Sequence, residues 1–247
     1  MPEPQRILLI GASSGIGAAL AVELAAPGRS LVLVARRRAE LEAVGARVRA
    51  RGAAVNLECW DATADEDTEA CFARCVTALG GLDTVVYSAG VLPAVGLDEF
   101  DTGKDRHMVQ VNLVGAMAWL NPAARMLSKQ GRGTICGIGS VAGDRGRRPK
   151  PGYGATKAAL HTYLESLTHR LGPLGVAVVT IKPGPIATPM TADHGEPPFM
   201  IPADVAARRI ARAIVRGERV VYVPAVWRPV MAVIRALPWF LFKRFVH

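Results

Sequence analysis

Short β-branched runs alternate with helix-patterned segments along this chain, and that alternation is what most narrows its fold. Arg6 to Ile10 reads as a buried strand, and 31–34, 55–60, 83–87, 133–138, 176–181 and 219–223 repeat the pattern. Between them, helical patterning covers about 16–26, 39–51, 65–79, 104–129, 152–171 and 203–216. Strands that alternate with helices pair in parallel, because each return to the sheet crosses over through a helix. Right-handed crossovers then place helices on both faces. The expected fold class is α/β, a single domain built on a doubly wound parallel sheet of about seven strands. The 247 residues, half of them hydrophobic, suffice to bury such a sheet in one core. One boundary is expected, after Pro224, leaving 1–224 as the body and 225–247 as an apolar and basic tail.

The net charge of +9 bears on partners. A basic excess suits nucleic acid, an anionic membrane surface or a phosphorylated ligand. No zinc-finger spacing or RNA-recognition signature accompanies it, so nucleic acid is not expected. The excess is also local: Arg36, Arg37 and Arg38 follow one strand, Arg145, Arg147, Arg148 and Lys150 fill one loop, and Lys243 and Arg244 lie in the tail. Such clusters fit small anions or a membrane surface better than a duplex, or else form a solvated face. Cys71 and Cys75 stand four apart with no histidine cluster near, so no metal site is expected. The start, Met1 to Arg6, shows no signal or transit signature, and a cytoplasmic protein with reduced cysteines is the expectation.

Gly11-Ala12-Ser13-Ser14-Gly15-Ile16-Gly17 lies between the first strand and the first helix. Glycines there let backbone approach a pyrophosphate, and the helix N-terminus offers it unpaired N–H groups. The second strand ends in Ala35-Arg36-Arg37. An acid at this point would hold the ribose hydroxyls of NAD and repel a 2′-phosphate. Guanidinium groups instead favour the phosphate, so the expected cofactor is NADP(H).

With these features the chain resembles the short-chain dehydrogenase/reductase family, and the expected fold becomes its single-domain Rossmann fold. The loop is similar to the family's TGxxxGIG, with Ile10 in place of the leading Thr. Asp61-Ala62-Thr63 resembles the segment that contacts adenine, and Ser88-Ala89-Gly90 the family's NAG, with Ser for Asn. Asn112 matches the helix asparagine, and Ser140 follows the fifth strand. Tyr153 to Lys157 is the YxxxK motif, and Pro183-Gly184-Pro185-Ile186-Ala187-Thr188 resembles the PGxxxT segment beside the nicotinamide. The resemblance implies cofactor contacts from Gly11, Ser13, Ser14, Gly15, Ile16, Gly17, Arg36, Arg37, Asp61, Ala62, Ser88, Ala89, Gly90, Asn112, Tyr153, Lys157, Pro183, Gly184, Ile186 and Thr188. It implies a catalytic set of Asn112, Ser140, Tyr153 and Lys157, and a homodimer or homotetramer.

Reducing a carbonyl needs hydride at carbon and a proton at oxygen. Free tyrosine, with a pKa near 10, gives up its proton slowly at neutrality, and a cation nearby lowers that value. Tyr153 and Lys157 are four apart on one helix and face the same side. Ser140 would donate to the substrate oxygen. By resemblance, Lys157 also holds the nicotinamide ribose, and Asn112 holds a water that relays protons from Lys157 to solvent. His107, His161, His169 and His247 read as surface or packing residues, and His194 lies in the expected substrate loop, 190–202, without being assigned a contact.

The tail carries Trp227, Trp239 and Phe240 among basic residues and is broken by Pro229 and Pro238. It is too interrupted and too charged to read as a membrane span. It can cover the substrate cleft, join a subunit interface, or lie peripherally on the inner face of a membrane. The tail and the segment Ser140 to Arg148 look similar to reductases of polyprenyl-phosphate-linked keto sugars, which implies a lipid-like or phosphorylated substrate. Two readings compete with an oxidoreductase: a catalytically inactive nucleotide-binding regulator and a membrane-surface scaffold on the same fold.

Overall fold

The computed structural model describes residues 5–64, 67–195 and 197–245, with the side chains of 193, 194, 244 and 245 outside that description. The His194 side chain and the helix start expected at Asp65 therefore lie outside that description. Seven parallel strands form the sheet in the order β3-β2-β1-β4-β5-β6-β9. They are β1 (Arg6–Ile10), β2 (Ser30–Ala35), β3 (Ala54–Cys59), β4 (Thr84–Tyr87), β5 (Gly133–Ile138), β6 (Val176–Pro183) and β9 (Val220–Val223). A separate two-residue pair, β7 (Ile186–Ala187) and β8 (Ile201–Pro202), braces the loop after β6.

Alternation along the strands separates two cores. Ile7 and Leu9 of β1 and Leu31 and Leu33 of β2 face one side, against α1 (Gly15–Leu24), α2 (Arg38–Ala50) and α7 (Ala203–Arg216). Leu8, Ile10, Val32 and Val34 face the other, against α3 (Thr68–Leu79), α5 (Gly115–Gln130) and α6 (Pro151–Leu171). Successive strand residues point to opposite faces, so a sheet covered on both sides needs every position apolar. That is why the strands read as unbroken hydrophobic runs. The strand order reverses between β1 and β4, and loops leaving their C-terminal ends part to form a crevice there.

The helix expected over 104–129 runs from α4 (Thr102–Val109) into α5 through a π-helical turn at Gln110–Val114. Asp101 starts it by accepting from the backbone N–H groups of Gly103 (2.7 Å) and Lys104 (3.0 Å). Within the π turn, the Val111 carbonyl accepts a 2.6 Å hydrogen bond from the buried Tyr87 hydroxyl. The extra residue of that turn aims Asn112 into the protein, where it is fully buried.

The tail is more regular than its prolines suggest. Pro229 falls in the first turn of α8 (Trp227–Ala236), where a missing N–H leaves no intrahelical bond unmade. Pro238 lies between α8 and α9 (Trp239–Phe245). Met231 and Phe242 are buried, whereas Val233, Trp239 and Phe240 are exposed. No helix among the described residues is long and apolar enough to cross a membrane.

Candidate active site

A cleft of about 620 Å³ follows the C-terminal ends of β1 to β6. At its centre is the glycine loop. Gly11 has φ +87°, and a Cβ there would lie 2.3 Å from the Ala89 nitrogen, so no side chain fits where the first and fourth loops cross. Helix α1 begins at Gly15 with no side-chain cap on its N-terminus and no acid in its first turn. Its free N–H groups suit an anionic oxygen. Arg37 reaches over this loop, donating to the hydroxyls of Ser13 (3.1 Å) and Ser14 (2.7 Å). Arg36 is exposed and pairs with Asp61 at 3.4 Å. Asp61 also accepts from the backbone and hydroxyl of Thr63, both at 2.9 Å, and its pKa is lowered because those bonds and Arg36 outweigh the cost of burial.

Every residue assigned to the cofactor lines this cleft except Asn112, from Gly11 and Ser13 through Arg36, Arg37, Asp61, Ala62 and Ser88 to Gly90, Pro183, Gly184, Ile186 and Thr188. Asn112 lies behind the wall. Its side-chain amide accepts from Val91 N (2.7 Å) and donates to Val91 O (3.1 Å) and Thr156 Oγ1 (3.1 Å). It therefore ties the loop after β4 to α6. Trp60, Leu92, His107, Met190 and Thr191 also line the cleft and carry no motif in the sequence. The buried Trp60 indole N–H has no partner there. An uncapped helix start, guanidinium groups and an orphan donor around an elongated cleft fit a dinucleotide phosphate ligand.

Ser140, Tyr153 and Lys157 meet at the inner end. Ser140 leaves β5, and its Oγ accepts from the Ala142 N–H at 3.1 Å, which leaves the hydroxyl proton free to donate. Lys157 is buried, donates to the Ile138 carbonyl at 2.9 Å, and lies 5.7 Å from the centre of the Tyr153 ring. Burial pushes its pKa down to about 8. The Tyr153 phenol moves the other way from the sequence expectation. Its pKa is raised, because burial outweighs the opposing hydrogen bond with Ser140. Tyr153 is therefore protonated at neutral pH and able to give a proton.

A second cavity of about 980 Å³ opens from the first at Leu92, Ser140, Tyr153, Gly184, Met190 and Thr191. Its far wall is the tail, with Trp227, Trp239 and Phe242, and its rim carries Arg145, Arg147, Arg148, Lys150 and Lys243. None of the described lining residues is acidic. Arg145 fastens the tail: its guanidinium donates to the carbonyls of Ile234 and of Leu237, the latter at 2.6 Å, and stacks 3.9 Å over the Phe242 ring. Desolvation lowers the pKa of Arg147 and of Lys150, and for Lys150 the charge of Arg147 adds to it.

The sequence reading missed His161. Classed there as surface or packing, it is largely buried, and its Nε2 accepts the Ser140 N–H at 3.3 Å. A lone histidine one turn beyond Lys157 carries no sequence signal of this contact. Of the cysteines, Cys71, Cys75 and Cys136 are buried and Cys59 is exposed.

Comparison with known proteins agrees with this geometry. The family model described as short chain dehydrogenase matches residues 5–198. An uncharacterized oxidoreductase of Myxococcus xanthus is 34% identical over 218 residues, 88% of this chain and 86% of the relative. One from Mycobacterium tuberculosis is 33% identical over 239 residues, 96% of each. Among solved structures, a short-chain dehydrogenase from Sphingobium yanoikuyae in complex with NADPH superposes with a TM-score of 0.81 at 27% identity, covering 94% of this chain and 96% of its own.

Proposed function

The chain belongs to the short-chain dehydrogenase family of oxidoreductases, which bind a nicotinamide cofactor, and on that footing we propose that it uses NADP(H) to interconvert a ketone or aldehyde with an alcohol. The observation that carries the reading is the meeting of Ser140, Tyr153 and Lys157 at the inner end of a cleft whose outer end presents guanidinium groups. The nicotinamide would supply or accept the hydride. Ser13, Ser14 and the α1 N-terminus would hold the pyrophosphate, and Arg36 and Arg37 the 2′-phosphate. The Sphingobium relative is described in complex with NADPH, which supports that choice.

The protein's own work is placement and proton supply. The Ser140 hydroxyl donates to the carbonyl oxygen and stabilises the charge that develops there. Tyr153, protonated at neutral pH, transfers its proton to that oxygen. Charged Lys157 stabilises the tyrosinate left behind and orients the ribose. Asn112 fixes the Val91 loop against α6.

The second cavity supports a lipid-like or phosphorylated substrate. Aromatic side chains of the tail would take an apolar body, and Arg147, Arg148, Lys150 and Lys243 an anionic group. In this reading the domain division falls after Pro224, and the described tail, 225–245, serves as the cleft cover of the catalytic domain.

Measuring turnover with NADPH and with NADH against small ketones, aldehydes and amphiphilic anionic carbonyls tests the reading. NADPH-dependent reduction, best with the amphiphiles, is expected. Equal use of NADH would remove the cofactor assignment, and no turnover of any carbonyl would remove the reaction.

A further inference from the structure

Behind Ser140 lies a polar cluster that the proposed reaction does not use. His161 stands one turn beyond Lys157 on α6, on the same helix face. A backbone N–H can only donate, so the His161 Nε2 that receives the Ser140 amide is unprotonated and the ring proton sits on Nδ1. Nδ1 faces Asp144 Oδ1 at 3.6 Å, and the Asp144 side chain is only 1% exposed. That carboxylate is held by two further elements: Lys182 of β6 donates to Oδ1 at 2.5 Å, and Tyr222 of β9 donates to Oδ2 at 2.6 Å. Lys182 and Tyr222 are register partners on adjacent strands, so both side chains leave the sheet on the same side.

Packing alone would not require this arrangement. The backbone beside the ring is cut back to glycine: a Cβ on Gly139 would lie 2.3 Å from His161 Nε2. A buried carboxylate is costly unless it is paired and hydrogen-bonded, and here three elements converge to satisfy it. Burial, Lys182 and Lys157 hold the His161 pKa down to about 3, against the opposing pull of Asp144, so the ring stays a neutral acceptor at working pH. Ser140 is thereby gripped twice, by His161 at its amide and by Ala142 at its Oγ. With both fixed, the hydroxyl stays beside the Tyr153 oxygen at the inner end of the cleft.

We propose that His161, oriented by Asp144, is a positioning residue that holds Ser140 in register with Tyr153 through the Ser140 amide. The role rests on the reductase reading given above, but the hydrogen bond itself does not.

Two experiments separate these. The first is nitrogen-15 NMR of histidine-labelled wild-type protein with NADPH bound. His161 should show an unprotonated Nε2 and a protonated Nδ1 at neutral pH, and an Nε2–H tautomer or a charged ring would overturn the proposal whatever the enzyme turns over. The second compares variants on a carbonyl substrate that the wild type reduces. H161L removes the acceptor at similar size and should lower kcat about tenfold, with KM and NADPH affinity within about twofold. H161Q places an oxygen where Nε2 stood and should recover kcat to within about threefold of wild type. A merely structural role would lower both variants alike. That result, or an H161L enzyme as fast as wild type, would overturn the assignment. In an S140A background the H161L change should cost nothing further, since the histidine acts only through Ser140.

Discussion

The two cavities that share Ser140 and Tyr153 are built from different material. The first is walled by loops at the ends of six strands, and its groups are fixed by the sheet: Lys157 bonds to the last residue of β5, and Asn112 locks the loop after β4 to α6. The second is walled by the loop over 141–150, the segment after β6, and a tail attached through a few side chains, Arg145 foremost. In the proposed function, chemistry that tolerates little displacement is assigned to the sheet-fixed wall, and substrate selection to the wall made of loop and tail. The reaction can then stay constant while the second wall varies.

Substitutions can break this division or sharpen it. Lys157→Met should be the most damaging, lowering kcat/KM about a thousandfold, and equally for small and large carbonyls because the first cavity serves both. Initial rates on two substrates of different size check this, and a loss confined to one would break the division. Raising the pH acts on the same group. Lys157 is charged below a pKa of about 8 and neutral above it, so carbonyl reduction should hold below that pH and fall about tenfold per unit beyond it. A flat pH–rate profile through that region would contradict a charged Lys157 in the reaction.

Smaller effects are expected at the edges. Arg37→Ala removes a charged donor set and should weaken NADPH about tenfold while leaving NADH within about twofold, as read by titrating the quenching of protein fluorescence. Equal weakening of both cofactors would instead mark Arg37 as a support for Ser13 and Ser14. Arg145→Ala frees α8 and α9 from the basic loop. It should raise KM for amphiphilic carbonyls about fivefold and leave small ketones and NADPH affinity alone. An equal effect on small ketones would show that the tail supports the first cavity as well.

How much of this was legible in the sequence follows the same division. The strands announced themselves because a sheet buried on both faces demands continuous apolar runs. The glycine loop, Ser140 and the Tyr153–Lys157 pair lie on a strand end or a helix face, where spacing along the chain translates directly into position. The π turn at Gln110–Val114 was hidden, because one extra residue inside a helix leaves the hydrophobic pattern nearly unchanged. The raised pKa of Tyr153 was hidden too, since burial is a property of packing. His161 and Asp144 stand apart in sequence and meet only through the fold. The tail was misjudged at Pro229, whose effect depends on whether it falls inside a helix or in its first turn.

The central claim is that Tyr153 supplies the proton while the cofactor cleft binds independently of it. The most direct test is single-turnover reduction of a carbonyl by Tyr153→Phe enzyme preloaded with NADPH, followed by loss of the reduced-nicotinamide absorbance. The account predicts NADPH affinity within about threefold of wild type and a rate lower by about a thousandfold or more. NADPH consumption within about tenfold of the wild-type rate would contradict it.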